Sequence, residues 1–261
     1  MPLVFPISNG MNWFFYISPV VLQTLIWPVS RPLFRFFLHL EIYGFENLKG
    51  VPRGVIFASN HVGELDAILL PTSLPFLSRF SPIFYVSREN KFYRWTPGWR
   101  KFMYGGLFFN LLGSHPARIG ERNYAVALKT HVGILKHRKS MYIFPQGGVT
   151  DKTGKMTMRG EPVSVKGGVG YLSHATELPV VPVYLEGCHQ IPAREFWTRK
   201  RRVKVVFGKP LYPKDLFTNP QHVDTDGYKF AAKRIMSAVE RLRDTQTAPA
   251  YRPGYAAAAK R

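Results

Sequence analysis

A histidine and an aspartate five positions apart, His61 and Asp66, lie in Asn60-His61-Val62-Gly63-Glu64-Leu65-Asp66, directly after the apolar run GVIFAS. These side-chain types can carry proton transfer. An aspartate that accepts from one imidazole nitrogen fixes the tautomer and leaves the other nitrogen free to take a hydroxyl proton. Residues five apart in a continuous helix diverge by about 140° around its axis, so pairing requires His61 on a loop and Asp66 in the first helical turns. GVIFAS reads as a strand, and a helix is expected from about Glu64, with Asn60 or Gly63 near its start, which sets the pair at a strand-to-helix junction. Alone, this spacing is an unspecific signal.

Other segments have chemistry of their own. Gly113-Ser114-His115-Pro116-Ala117-Arg118 ends in an arginine whose planar fork suits a phosphate. Phe144-Pro145-Gln146-Gly147-Gly148 leaves the apolar run SMYIF through a proline into two glycines, a loop whose backbone can approach a ligand closely and present N–H donors. Lys166-Gly167 stands ahead of a predicted helix, and Val180-Val181-Pro182-Val183-Tyr184 reads as a core strand with a possible acyl-facing side. The single cysteine, Cys188, can form neither an internal disulfide nor a multi-ligand zinc site, which suits a reducing compartment. Its neighbour His189 is no base for it, because adjacent residues on a strand face opposite ways. Cys188 is therefore expected to be a buried or loop residue.

Taken in order, these segments resemble the glycerolipid acyltransferase family that includes bacterial lysophosphatidate acyltransferases. His61 to Asp66 matches its H-x4-D box, Gly113 to Arg118 its second block, Phe144 to Gly148 its F-P-E-G block, and Val180 to Tyr184 its V-P-V block. The resemblance runs from about Ile42 to Pro210 and implies direct transfer of a fatty acyl group from a thioester to a hydroxyl. It implies His61 and Asp66 as the catalytic residues, and Arg118, Gln146, Gly147, Gly148 and Lys166 as substrate-binding ones. The implied co-substrate is acyl-CoA or acyl-carrier protein, the implied acceptor a lysophospholipid such as 1-acyl-glycerol-3-phosphate, and neither a metal nor a cofactor is called for. Phospholipid biosynthesis at the cytoplasmic face of a membrane is the setting that follows.

Two departures bear on the acceptor. Gln146 stands where the family has glutamate, keeping hydrogen bonding without the charge. Gly148 and Val149 stand where the family has Thr or Ser and then arginine, which removes one phosphate contact that Lys152, Lys155 or Arg159 could replace. An acceptor without phosphate, and a non-catalytic lipid- or membrane-binding protein on the same fold, are the competing readings.

Lys and Arg number 36 against 16 Asp and Glu, a formal +20 that calls for a polyanionic partner or surface. Arg88, Lys91, Arg94, Arg100 and Lys101 are interleaved with Phe92, Tyr93, Trp95, Trp99 and Phe102, a composition suited to an anionic bilayer, where aromatics sit at headgroup depth. The same interleaving could stack bases, but no nucleic-acid-binding motif accompanies it, so nucleic acid is the disfavoured partner.

The elements that must position these residues alternate in type, and the expected fold class is α/β, a mixed sheet flanked by helices behind an N-terminal membrane-associated helical segment. Apolar residues recur at helical spacing from Glu121 to about His137. Further helices are expected around Trp95 to Tyr104, near Val169 to Ala175 and from about Asp226 to Arg243, and strands at PIFYVS, VVPVYLEG and RVKVVFGKP. Residues 1–40 form the expected attachment segment, 41–245 the acyltransferase domain, and 246–261 a flexible tail. No charge precedes Arg31, and Trp13 to Val29 is strongly apolar, but Ser18, Pro19, Gln23 and Thr24 make it a marginal span. With neither a basic start nor a small-residue cleavage site, the segment is expected to stay attached. The following SRPLFRFFLHLEIYGF reads as a helix lying in the interface, with Arg31 and Arg35 on its polar side.

Overall fold

The computed structural model describes residues 14–63, 65–89, 107–118, 120–121, 123–150, 163–189 and 191–244. The stretch from Trp95 to Tyr104, the residues Lys91, Arg94, Arg100, Lys101, Lys152, Lys155 and Arg159, and the tail from 246 fall outside them.

Short β-rich runs separated by amphipathic segments assemble into a seven-stranded sheet: β1 (Glu41–Tyr43), β2 (Ile56–Ser59), β3 (Ile83–Ser87), β4 (Ser114–Pro116), β5 (Ser140–Ile143), β6 (Val180–Glu186) and β7 (Lys204–Phe207). The order is β1-β7-β6-β2-β5-β3-β4, and every neighbouring pair is parallel except β6 with β7, which makes the sheet mixed as expected. Alternation along the strands splits the core in two. Phe57, Tyr142, Val181 and Val183 join one buried cluster, while Ile56, Ala58, Met141 and Ile143 join the other. Helices α1 (Phe14–Phe37) and α2 (Asp66–Ser73) cover the first face. The second is covered by α5 (Lys129–Lys136), α6 (Gly168–Thr176) and α9 (Thr225–Arg241). Shorter helices are α3 (Leu107–Leu111), α4 (Tyr124–Ala127), α7 (Ala193–Trp197) and α8 (Pro213–Leu216). The segment expected to be one helix from Glu121 is thus two, because the chain leaves helical dihedrals at Leu128 (φ −116°, ψ 18°).

The N-terminal segment differs most from its expectation. The apolar stretch and the first part of the interface helix are a single 24-residue α1 that carries Pro19, Pro28 and Pro32 inside it, and Glu41–Tyr43 is a strand paired with β7 rather than helix. Each interior proline removes an intrahelical bond, so tertiary contacts must help hold the helix. Those contacts come from its polar residues. Gln23 donates to the carbonyls of Ile83 and Leu112 and accepts from Ile83 N–H, Trp27 Nε1 donates to Leu74 O, and Ser30 Oγ lies 3.0 Å from Thr72 Oγ1. Arg31 is not on a wet face: it is 3% exposed, donating from Nη1 to the carbonyls of Thr72 and Leu74. The exposed side carries Phe14, Val21, Leu25, Val29 and Phe36. The inner side of α1 is thus mixed, with Phe34 buried and Tyr16 and Leu33 packed on the core beside these polar groups, and the outer side is largely apolar, with Arg35 exposed on it. Among the described residues no helix is long and apolar enough to cross a membrane.

Candidate active site

Strands β6, β2, β5, β3 and β4 run the same way, so their carboxyl ends share one edge of the sheet, where ligands of open α/β sheets gather. His61 follows β2 there, Phe144 to Gly148 follow β5, Arg88 follows β3, Cys188 follows β6 and Arg118 follows β4.

The expected His–Asp geometry is present. His61 sits on the loop and Asp66 is the first residue of α2, with His61 Nδ1 2.9 Å from Asp66 Oδ2. The same carboxylate oxygen accepts from Val62 N–H at 2.6 Å and Gly63 N–H at 2.9 Å, two donors of the loop ahead of α2, which ties the carboxylate to the His61 loop. Asp66 is fully buried and the His61 side chain is 20% exposed, which leaves Nε2 as the ring nitrogen a substrate can reach. Gly63 is required for packing: a Cβ there would run into the Cys188 carbonyl.

The histidine is held on every side. Its ring stacks on Phe144 with centroids 4.0 Å apart and planes inclined by 17°. Its backbone N–H donates to Gln146 Oε1 at 3.0 Å, and its carbonyl accepts from Thr150 N–H at 2.8 Å and Thr150 Oγ1 at 3.1 Å. Asn60 clips the end of β2 to β6, donating to Leu185 O and accepting from Leu185 N–H, both at 2.8 Å. Below the pair, Tyr142 OH lies 2.6 Å from Ser59 Oγ. Burial, then the nearby Asp66 charge, pushes the Tyr142 phenol well above its ordinary range. The same two causes push the Cys188 thiol up, so Cys188 is a buried neutral group, as its sequence context suggested.

The second glycine-rich arm closes around this core. Gly147 N–H donates to Phe144 O in a tight turn, and Gly147 has φ 70°, where a side chain would be strained. Lys166 N–H donates to Pro145 O at 2.8 Å and its stem runs beside Gly147, so its exposed ammonium stands at the rim. Gln146 is 8% exposed, with its side-chain oxygen committed to the His61 main chain. His61, Asp66, Gln146, Gly147, Gly148 and Lys166 are therefore brought together. Arg118 shares their edge but stays exposed beyond β4, without a side-chain hydrogen bond or ion pair among the described residues.

Three participants carried little sequence signal. Asn60 and Thr150 act through contacts 125 and 89 positions away. Arg88, grouped by composition with a lipid-facing cluster, instead sends its guanidinium to the Gly147 carbonyl, with Nε at 2.9 Å, and fills the space a Cβ on Gly148 would need. Only the sequence position of Arg88, just past a strand on the catalytic edge, could have indicated it.

The His–Asp pair, with Nε2 as the ring nitrogen left outside it, stands at the carboxyl edge of a mixed sheet, an arrangement able to accept a proton. Over residues 39–186, more than half its length, the chain matches the family model described as Acyltransferase, and it belongs to that family. It is similar to the chloroplastic 1-acyl-sn-glycerol-3-phosphate acyltransferases BAT2 of Brassica napus and LPAT1 of Arabidopsis thaliana, each 26% identical over 178 residues and 67% of this chain. The match covers 46% and 44% of those two proteins, so the chain spans about half the length of the curated relatives. Among solved structures it resembles the 1-acyl-sn-glycerophosphate acyltransferase PlsC of Thermotoga maritima, with TM-score 0.54 and 21% identity, over 86% of this chain and 80% of that one. That likeness bears on the fold.

Proposed function

We propose that the protein is an O-acyltransferase of phospholipid biosynthesis that moves a fatty acyl group from acyl-CoA or acyl-carrier protein to the hydroxyl of a lysophospholipid such as 1-acyl-glycerol-3-phosphate. The observation that carries this reading is the His61–Asp66 pair, fixed at 2.9 Å with Nε2 facing outward. His61 Nε2 takes the acceptor hydroxyl proton while the oxygen attacks the thioester carbonyl carbon. The C–O bond forms, the C–S bond breaks, and the imidazolium returns the proton to the departing thiolate. Asp66 stabilises the imidazolium and holds its tautomer. Lys166 and Arg118, with the Gly147–Gly148 backbone, are the groups on this edge suited to an anionic headgroup.

We place the protein on the cytoplasmic face of a membrane, with the apolar outer stripe of α1 in the interface rather than across the bilayer. Exposures of 65% at Leu25 and 67% at Val29, on a helix that turns Gln23, Ser30 and Arg31 inward, support that reading. The helix meets the start of β3 through Gln23 and the start of antiparallel β7 through Leu38 O, which accepts from Val203 N–H, so it runs from the far edge of the sheet toward the catalytic one.

Mass spectrometry decides the chemistry. Purified protein is given mixed lyso-acceptors and an isotopically labelled acyl thioester, and labelled diacyl product is expected from at least one phosphate-bearing acceptor. No transfer from either acyl-CoA or acyl-carrier protein to any acceptor would leave only the lipid-binding reading.

A further inference from the structure

Opposite the catalytic edge, where β2, β3 and β5 begin, lies a pocket of about 240 Å³ between α1 and the loop from Phe76 to Pro82. Arg53, Arg79, Arg138 and Lys139 line it, and no aspartate or glutamate does. Among the described residues none of the four forms an ion pair. Burial, and then the charge of Arg53, hold the Lys139 ammonium below its ordinary range, which is the response of a cation that lacks a counter-ion. Ser140, 2% exposed, also lines the pocket, and its Oγ has no hydrogen-bond partner among the described residues. Arg79 Nη2 donates to Leu48 O at 2.6 Å and Lys139 Nζ lies 5.4 Å from the Tyr16 ring centroid, so a pocket lined by four cations without a carboxylate, and by a buried hydroxyl without a partner, suits an acceptor-rich group.

The pocket adjoins the apolar exterior. Val20, Thr24 and Trp27 of α1 form one wall, Trp27 packs on Phe76 with ring centroids 5.1 Å apart, and Phe76 and Leu77 are 46% and 71% exposed. An anionic headgroup in the pocket would leave its chains beside the outer stripe of α1.

We propose that this pocket binds the phosphate headgroup of an anionic phospholipid in the bilayer, as a docking site separate from the catalytic centre. The proposal rests on the reading that α1 lies on the bilayer, and its occupant is set by charge complementarity and by continuity with the apolar stripe. It fixes the rotation of the domain about α1.

The test is co-flotation of the full chain with vesicles of phosphatidylcholine alone or with one-third phosphatidylglycerol. The pocket variant Arg53→Gln/Lys139→Gln is compared with Lys233→Gln/Arg234→Gln, which removes the same charge from α9 on the other face of the sheet. Wild type should bind the anionic vesicles more tightly. The pocket variant should lose about 25-fold of that preference, at about fivefold per cation, while binding to phosphatidylcholine and turnover in detergent stay unchanged. The α9 variant should lose little. Equal losses in the two variants would show diffuse attraction and overturn the proposal, as would an unchanged preference in the pocket variant. Inorganic phosphate separates a lipid from a free anion: if millimolar phosphate raises the melting temperature through Arg53 and Lys139 while vesicle preference does not depend on them, the lipid assignment fails. Leu25→Glu/Val29→Glu tests the underlying reading on its own. If that variant floats with both vesicle types as wild type does, α1 does not lie on the bilayer, whatever the pocket variant shows.

Discussion

The two edges of the sheet treat polar groups in opposite ways. On the carboxyl edge the groups around His61 are cross-linked: Asp66 Oδ2 accepts three hydrogen bonds, and Gln146, Thr150 and Asn60 clamp the main chain on either side. On the amino edge four cations and the Ser140 hydroxyl surround open space. Proton transfer, as proposed for this edge, depends on sub-ångström placement, and the bonds to Asp66 Oδ2 and to the His61 main chain supply it before substrate arrives, while Asp66 Oδ1 stays buried without a partner among the described residues. Anion capture tolerates looser geometry: Arg79 donates to Leu48 O and Lys139 Nζ lies 5.4 Å from the Tyr16 ring centroid, but neither has a carboxylate partner among the described residues. The α1 helix and the residue just past its end link the two, Gln23 meeting the start of β3 and Leu38 O accepting from Val203 N–H ahead of β7.

The contrast between the edges is widest at His61. His61→Ala should cut acyl transfer by about 10² to 10⁴ while circular dichroism and vesicle binding stay as in wild type. Asp66→Asn should be nearly as severe, because an amide cannot stabilise the imidazolium, and it also alters the acceptor that the N–H groups of Val62 and Gly63 share. A folded His61→Ala protein with near-native turnover would exclude His61 as the base. Next in size is the α1 stripe. Leu25→Glu/Val29→Glu should weaken flotation with both vesicle types by about tenfold or more, since two apolar side chains no longer enter the interface, and should leave detergent turnover intact.

Much of the catalytic edge was legible because its signals are local. The strand, the histidine and the aspartate lie within one short stretch of chain, and the requirement that His61 be on a loop follows from helix geometry alone. The glycine pair after SMYIF was equally readable. What supports them was not, since Gln146, Thr150 and Leu185 reach the His61 loop across 85, 89 and 125 positions. The N-terminal helix failed differently. Periodicity located apolar and polar residues but not which set faces the domain, and Arg31 beside apolar neighbours reads as an interfacial cation whether it points to water or, as here, to the carbonyls of Thr72 and Leu74. Prolines suggested two segments where packing sustains one.

Acid tests the frame that both edges share. His131 Nε2 lies 3.0 Å from His115 O behind β4, and burial holds both imidazoles down to about 4, with the neighbouring His131 adding to the effect on His115. In the unfolded chain both return to about 6.5, so the unfolded state binds more protons between those values. The stability they contribute is whole above about pH 6.5 and is lost as pH falls toward 4, on the order of 3 kcal/mol for His131. Melting temperature followed from about pH 8 to 4.5 should therefore drop steeply in that window, and His131→Leu should flatten the drop. An equal slope in the variant would place the acid sensitivity elsewhere.

The smallest expected effect, and the sharpest test of how the catalytic edge is specialised, is at Gln146. Its oxygen accepts from the His61 N–H, so the side chain positions the base whatever the acceptor. Glutamate can accept that same bond, and Gln146→Glu should therefore keep His61 in place while adding a negative charge to a site that is 8% exposed. In so desolvated a position the charge is poorly screened and alters the differential binding of charged and neutral headgroups. The ratio of rates for lysophosphatidate and a phosphate-free lyso-acceptor should change several-fold in paired competition, with total turnover changing less than the ratio. Arg118→Ala serves as the reference, raising the apparent KM for the phosphate acceptor and leaving the phosphate-free one nearly unaffected if its guanidinium meets the headgroup. An unchanged ratio in Gln146→Glu would mean that residue 146 serves the catalytic edge only as a clamp on the His61 main chain, and acceptor choice would then belong to the rim, to Lys166, Arg118 and Arg88.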